Sequence, residues 1–453
     1  MEYLEIEPDP NNKEPCFVDN MLDEEEDTMA PLDLRQRRPA GFGFLTHLLL
    51  PATLGIGLFL GVLKWGSLLR DNFDIDVEGP QHQHQHQPLQ VTQERQLLVH
   101  VGFDGSESLG ARLAKVPFKD IDGTLKDPIE IFKDHGYGWS RLRVMVDPDG
   151  THGLFQTMEY VKKMAEDIVH TNSMKLLLDF HYSHWWADPE NQQIPLKWRN
   201  NTDDEHDYSS TSTTRTRASL LELEECVYNH TRITMEALID QGTIPDAVQI
   251  GNEVNAGMLW DTGKIVDGDM DNFVRLTNSA IRAIEDSFTD EEDARVPQIV
   301  MHIASGGWTQ FTQDWFTNFT NAGGKFDIIG LSYYPFWHGS LQDLSDNMNN
   351  LKQIFPDKNV WVVETAYYWT ETSNDYNNLP FEQSQDGQVA YLKALREVLL
   401  NHDRETAVFY WGSHWTQPEV WMNSDETWQE TANRSLFDEN AQALKAIDAL
   451  VGL

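Results

Sequence analysis

From Leu97 onward the sequence repeats one pattern eight times: a short apolar, β-rich run that turns polar at its C-terminal end. The runs are LLVHVGFD, SRLRVMVD, MKLLLDFH, DAVQIGNE, QIVMHIAS, DIIGLSYY, NVWVVETA and TAVFYWGS. Between most of them lie stretches with apolar residues at helical spacing, such as MEYVKKMAEDIVH and GQVAYLKALREVLLNH. Strands separated by helices pair in parallel, and eight such units predict an α/β fold closed into a (β/α)₈ TIM barrel over residues 97–453. The span exceeds the roughly 250 residues of a bare barrel, so loop insertions are expected. The longest is NNTDDEHDYSSTSTTRTR after the third run.

The first 96 residues cannot build such a core. Residues 44–63, FLTHLLLPATLGIGLFLGVL, carry no Asp, Glu, Lys or Arg, and about 20 apolar residues suffice to span a bilayer. Arg35, Arg37 and Arg38 precede the segment, which favours a cytoplasmic N-terminus. The 43 residues ahead of it are too many for a cleaved signal peptide. The expectation is a single-pass type II membrane protein. An acidic disordered tail occupies 1–43, a signal-anchor 44–63, and a low-complexity stem 64–96 that includes QHQHQHQ. The N-x-S/T sequons at Asn200, Asn229, Asn318 and Asn433 all follow the apolar segment, as a luminal or extracellular catalytic domain requires. Of the two cysteines, Cys226 sits in a helical pattern and is expected to be a buried free thiol. A membrane between it and Cys16 would keep the two from pairing.

The net charge of −39 argues against nucleic acid and disfavours polyanions, leaving a neutral ligand or polymer as partner. The polar strand ends converge, because a (β/α)₈ barrel gathers its C-terminal strand ends into one cleft. Two carboxylates stand out there, Glu253 after the fourth run and Glu364 on the seventh. Strands four and seven face each other across the barrel. Glycoside hydrolysis needs such a pair, one carboxyl to protonate the leaving oxygen and one to attack or to activate water. Asn252, beside Glu253, is placed to reach a sugar 2-hydroxyl.

At these residues the chain resembles glycoside hydrolase family 53, the arabinogalactan endo-β-1,4-galactanases. The resemblance rests on VQIGNEVNAGMLW (248–260), LLLDFHYSHWWADP (176–189), IIGLSYYPFWHG (328–339) and VVETAY (362–367). Shorter matches are RLRV at 141–144, MHIASGG at 301–307 and FYW at 409–411. It implies retaining endo-hydrolysis of β-1,4-galactan, with Glu253 as acid/base and Glu364 as nucleophile. It further implies that Arg143, His181, Asn252, His302, Tyr333 and Trp411 bind the sugar or orient the nucleophile at the cleavage point. Trp186, Asp188, Trp260 and Trp337 would bind or stack on sugars along the groove. No cofactor and a monomer are expected; SNDYNNLPFEQSQDG (373–387) has no ligand spacing that commits it to calcium.

Where the family reads YWEPAW and ETAYP, this chain has YWGSHW, with Gly412, and ETAYY, with Tyr368. These departures leave the carboxylate pair intact and open a second reading, hydrolysis of another neutral β-glycan. A non-catalytic glycan-binding receptor on the same barrel is a third. A glycosyltransferase would share the anchor and stem, and Asp147-Pro148-Asp149 mimics its metal-binding DxD, but the eightfold rhythm does not suit that class.

Overall fold

The computed structural model describes residues 99–150, 152–199, 218–288, 295–372, 379–417 and 430–452. The tail, the apolar segment 44–63, the stem, Asn200 and the polar insertion after the third strand lie outside the described residues. Among the described residues, no helix is long and apolar enough to cross a membrane.

Eight parallel strands close on themselves in sequence order: β1 (Val99–Asp104), β2 (Trp139–Val144), β3 (Lys175–Phe180), β4 (Ala247–Ile250), β5 (Gln298–Ala304), β6 (Ile328–Ser332), β7 (Asn359–Thr365) and β8 (Thr406–Tyr410). Around them run α1 (Ser108–Leu113), α2 (Pro128–Asp134), α3 (Met158–Glu166), α4 (Leu220–Asp240), α5 (Asp271–Ser287), α6 (Thr309–Asn321), α7 (Leu341–Ile354) and α8 (Gln385–Leu400). Local chemistry starts the helices where they are needed. Ser219 and Glu222 form a capping box on α4, Ser340 and Asp343 another on α7, and Asp127 caps α2 with Pro128 in its first turn. Each such cap supplies an acceptor to a backbone N–H that the helix cannot satisfy itself.

Strand alternation divides the core in two. Outward residues such as Leu176, Leu178, Val248, Ile250, Met301 and Ile329 pack under the helices. Inward residues Trp139, Leu177, Ala247, Val300, Ile328, Trp361, Val363, Ala407 and Phe409 fill the barrel as an apolar plug. Trp139 meets Trp361 edge-on, with centroids 5.4 Å apart. Phe409 fits because β1 offers Gly102: a Cβ there would lie 2.5 Å from the Phe409 ring. Above this plug the inward positions become polar, and the site begins.

Cys226 is buried on α4, as expected. The only other cysteine in the sequence, Cys16, lies outside the described residues.

Candidate active site

The polar layer is built by counting in twos along each strand. Asp104 on β1, Arg141 and Arg143 on β2, Asp179 on β3, Gln249 on β4, His302 on β5 and Ser332 on β6 are all buried above the plug. Arg141 is its centre. Its Nη1 lies 3.0 Å from Asp104 Oδ2 and 2.9 Å from Glu364 Oε1; its Nη2 donates to Asp179 Oδ2 at 2.7 Å and Asn252 Oδ1 at 2.8 Å. Arg143 pairs with Asp104 at 3.0 Å and with Glu107, and lies 4.7 Å from the centroid of the Trp186 ring. Two guanidinium groups thus face four buried carboxylates, Asp104, Glu107, Asp179 and Glu364, before Glu253 is counted.

Neither glutamate reaches the cleft by regular strand geometry. On β7, Trp361 and Val363 point inward, so strict alternation would send Glu364 out toward the helices. Instead the register slips: Leu331 pairs with Val362, but Ser332 pairs with Glu364. This bulge reverses the parity, as an extra strand residue must. Glu364 therefore faces inward, while Thr365 turns out to hydrogen-bond Tyr391 of α8 at 2.6 Å. On β4 the strand ends at Ile250, and the chain turns through Gly251 at φ +79° and Glu253 at φ +47°. Glu253 occupies a left-handed conformation that side chains seldom adopt.

The two carboxyls meet in a cleft of ≈ 560 Å³ that is also lined by Arg143, His181, Trp186, Asp188, Asn252, Trp337, Trp411, Tyr334, His338 and Arg434. A cavity of ≈ 510 Å³ opens at the opposite barrel mouth, but no carboxylate lines it. In the cleft the two glutamates are treated differently. Glu364 has Arg141 at 2.9 Å on Oε1 and accepts from the Tyr334 hydroxyl at 3.1 Å on Oε2. Among the described residues Glu253 contacts no cation, and its carboxyl accepts one hydrogen bond, on Oε1 from Ser332 Oγ at 2.6 Å. Burial, then the facing Glu364 carboxylate, push Glu253 up to about 8. Burial raises Glu364 too, and Arg141 opposes it. The proton shared by the pair therefore sits on Glu253, and Glu364 carries the charge that Arg141 binds.

His302 is buried beneath the cleft, held neutral by its burial. The backbone N–H of Glu253 donates to its Nδ1 at 3.3 Å, so the ring proton lies on Nε2, which donates to Ser332 Oγ at 2.8 Å. Ser332 in turn donates to Glu253. His181 Nε2 lies 3.0 Å from Asp179. Asn252 Nδ2 donates to Ala187 O at 2.8 Å, leaving one amide N–H to offer a ligand.

Most residues singled out in the sequence line this cleft, but three do not: His302 lies beneath it, and Tyr333 and Trp260 point elsewhere. Tyr333 is fully buried and its hydroxyl donates to Gly339 O at 3.0 Å; it is Tyr334, two residues past the end of β6, that reaches Glu364. Trp260 lies outside the cleft walls because its loop folds onto the segment after β3. Its N–H donates to Gln192 O at 2.7 Å, its indole N–H to Ala256 O at 3.0 Å, and Lys264 covers its ring at 4.0 Å. Arg141, Ser332, Tyr334 and Arg434 belong to the site without having been singled out. Period-two counting from Ile328 would have reached Ser332 and Tyr334; Arg434 follows β8 and carries no local signal. Among the described residues, no group of three or more His, Cys, Asp or Glu is arranged to hold a metal ion.

The comparisons with known proteins agree with this geometry. The model of glycosyl hydrolase family 53 matches residues 100–450. An arabinogalactan endo-beta-1,4-galactanase of Thermothelomyces thermophilus is 28% identical over 364 residues, covering 77% of this chain and 98% of its own. The family 53 catalytic domain of Ignisphaera aggregans superposes with a TM-score of 0.66 at 29% identity, over 79% of this chain and 96% of that one. A fungal beta-1,4-galactanase does so with a TM-score of 0.65 at 25% identity, over 78% and 99%. The barrel, the paired carboxyls of opposite electrostatic character and a family match spanning the whole barrel lead to one assignment: this chain belongs to glycosyl hydrolase family 53 and is a glycosidase.

Proposed function

We propose that the chain cleaves β-1,4-galactosidic bonds within galactan or arabinogalactan, with retention of configuration. The observation that carries this reading is the asymmetry of the pair: Glu364 is held by Arg141 and Tyr334, Glu253 only by Ser332. The substrate comes from what the relatives are named for.

In the first step Glu364 attacks the anomeric carbon while Glu253 gives its proton to the departing glycosidic oxygen. Ser332 occupies Oε1 of Glu253, so the acid proton rides on Oε2. Loss of that proton leaves Glu253 ionised, and the bond breaks as Glu364 becomes a galactosyl ester. In the second step Glu253 takes a proton from water, which attacks the ester and frees Glu364. Arg141 stays paired with Asp104 and Asp179 throughout, so its position does not depend on the charge of Glu364. The free N–H of Asn252 is the donor for the 2-hydroxyl, and Trp186, Trp337 and Trp411 offer apolar faces to sugar rings.

Digesting β-1,4-galactan, mannan and cellulose with the full-length protein, and following the first product anomer by proton NMR, tests this. Release of β-configured galacto-oligosaccharides is expected. No cleavage of galactan, or the α-anomer appearing first, refutes it. We also propose the type II anchor at 44–63, supported by its length and lack of charge. Protection of the barrel from protease in sealed microsomes is the expected result; digestion from the cytoplasmic side would refute it.

A further inference from the structure

Arg434 lies in the same cleft and is unlike its other two arginines. Arg141 and Arg143 are each neutralised by carboxylates, whereas Arg434 forms no ion pair among the described residues. It is 7% exposed. Its one side-chain hydrogen bond to a described residue runs from Nη2 to Thr431 Oγ1 at 3.3 Å, and its buried Nε has no acceptor. Five aromatic rings surround the guanidinium at 5.6–6.0 Å: Trp411, Tyr368, Phe336, Trp337 and Tyr334.

The rings explain how a cation stays in so dry a place, because each ring face attracts positive charge. They do not satisfy its N–H groups, which need oxygen acceptors. The side chain is also fixed in advance. Its backbone carbonyl accepts from the Tyr410 hydroxyl at 2.6 Å, tying the segment to β8. A preformed, buried guanidinium fork with no carboxylate partner among the described residues, in the same cleft as the two glutamates and walled by Trp337 and Trp411, is complementary to a planar carboxylate presented on a sugar.

We propose that Arg434 is a specificity residue that receives the carboxylate of a uronic acid unit carried by an otherwise neutral glycan chain, next to the cleavage point. This rests on the reading of the cleft as a glycosidase site. The overall charge of −39 does not oppose it: one carboxylate delivered to a buried arginine is a local contact, and the remote charges are screened beyond about 8–10 Å.

The test measures, by calorimetry with the full-length protein carrying Glu364→Gln throughout so that no ligand is turned over, the affinities for β-1,4-galactotetraose and for the same tetraose with one galacturonic acid unit; wild type here means Arg434 intact in that background. The wild type is expected to favour the uronate about tenfold or more, as a charge-assisted bidentate contact would. Arg434→Gln should bring the ratio of the two affinities to about one, and Arg434→Lys, which keeps the charge without the fork, should retain part of it. Equal affinities in the wild type, or a preference that survives in Arg434→Gln, would overturn the proposal. Both readouts are ratios within one protein, so a general loss of binding by a variant does not imitate the result. Failure of the galactan digestion sinks the activity reading alone, because the preference in binding is measured without turnover.

Discussion

The carboxyl of Glu253 prefers its proton in the folded state, and that preference is a stability term that can be measured. Its value is raised from 4.5 to about 8 by burial and by Glu364. At about 1.4 kcal/mol per pH unit, this corresponds to roughly 5 kcal/mol between the protonated and ionised forms. Glu253 keeps part of its surface open to the cleft, where water moderates the cost, so about half of that, roughly 2–3 kcal/mol, is the working figure. Below pH 4.5 the residue is protonated in both the folded and unfolded chains, and it costs nothing. Between 4.5 and 8 the unfolded chain ionises while the folded one holds its proton, so stability falls steadily as pH rises. Above 8 the full penalty is present and constant. Glu253→Gln keeps the shape and cannot ionise, so it should match the wild type near pH 4.5 and exceed it at pH 8.5. For a domain of this size the gain is a few degrees in Tm. Thermal unfolding of both proteins from pH 4.5 to 9 reads the difference directly. A difference that stays flat with pH would refute the reasoning. The same proton appears in catalysis: activity of the wild type should decline as pH rises through about 8.

Four further outcomes follow, three from the contacts of the pair and one from the tyrosine next to them. Arg141→Met leaves Asp104, Asp179 and Glu364 buried without their shared cation, and should cost about 3–5 kcal/mol in denaturant unfolding. Ser332→Ala removes the hydrogen bond that lowers the Glu253 value, so the alkaline decline in kcat/KM should move to higher pH, with a further loss of roughly tenfold in rate at neutral pH. Tyr334→Phe should lower kcat/KM by about tenfold to a hundredfold, since the lost hydroxyl holds Glu364 Oε2. Tyr333→Phe should leave kcat/KM within about threefold and cost about 1 kcal/mol of stability, because its bond to Gly339 O lies outside the cleft.

The barrel was legible because strands buried on both faces read as nearly continuous apolar runs: seven of the eight observed strands fall within a run marked in the sequence, and β2 starts one residue before its run, at Trp139. The location of the cleft followed, since polar residues cluster at one end of those runs. What periodicity could not do was rank positions on the same face. Arg141 and Arg143 are both inward on β2, and only the packed structure decides that the lower one meets Glu364. Tyr333 and Tyr334 differ by a single step of alternation, which reverses inside and outside. Arg434 was invisible for another reason: its place depends on the closing segment after β8 returning to the cleft, and no local pattern encodes a return of that kind.

Glu253 and Glu364 were found in the sequence by residue type and position, yet the alternation rule alone would have misplaced Glu364. Counting by two from Trp361 sends Glu364 outward, and only the slip opposite Leu331 and Ser332 turns it in. The slip lets two successive residues serve the interior, Val363 in the apolar plug and Glu364 above it. A regular strand cannot do that, because it must alternate its faces. Glu253 is delivered by the opposite device: β4 is cut short, and left-handed turns at Gly251 and Glu253 swing the carboxyl over the barrel mouth. A Cβ at Gly251 would lie 2.6 Å from Val254 Cγ1, so only glycine fits this corner. Holding Glu253 itself at φ +47° costs about 1–2 kcal/mol. The fold sustains this because Val254 N and Glu253 N are both anchored to β5, through His302 O at 3.0 Å and His302 Nδ1 at 3.3 Å. His302 thus fixes the backbone that carries Glu253 and, through Ser332, the carboxyl itself. The local irregularities that blur the sequence pattern are therefore the features that bring the two carboxyls face to face.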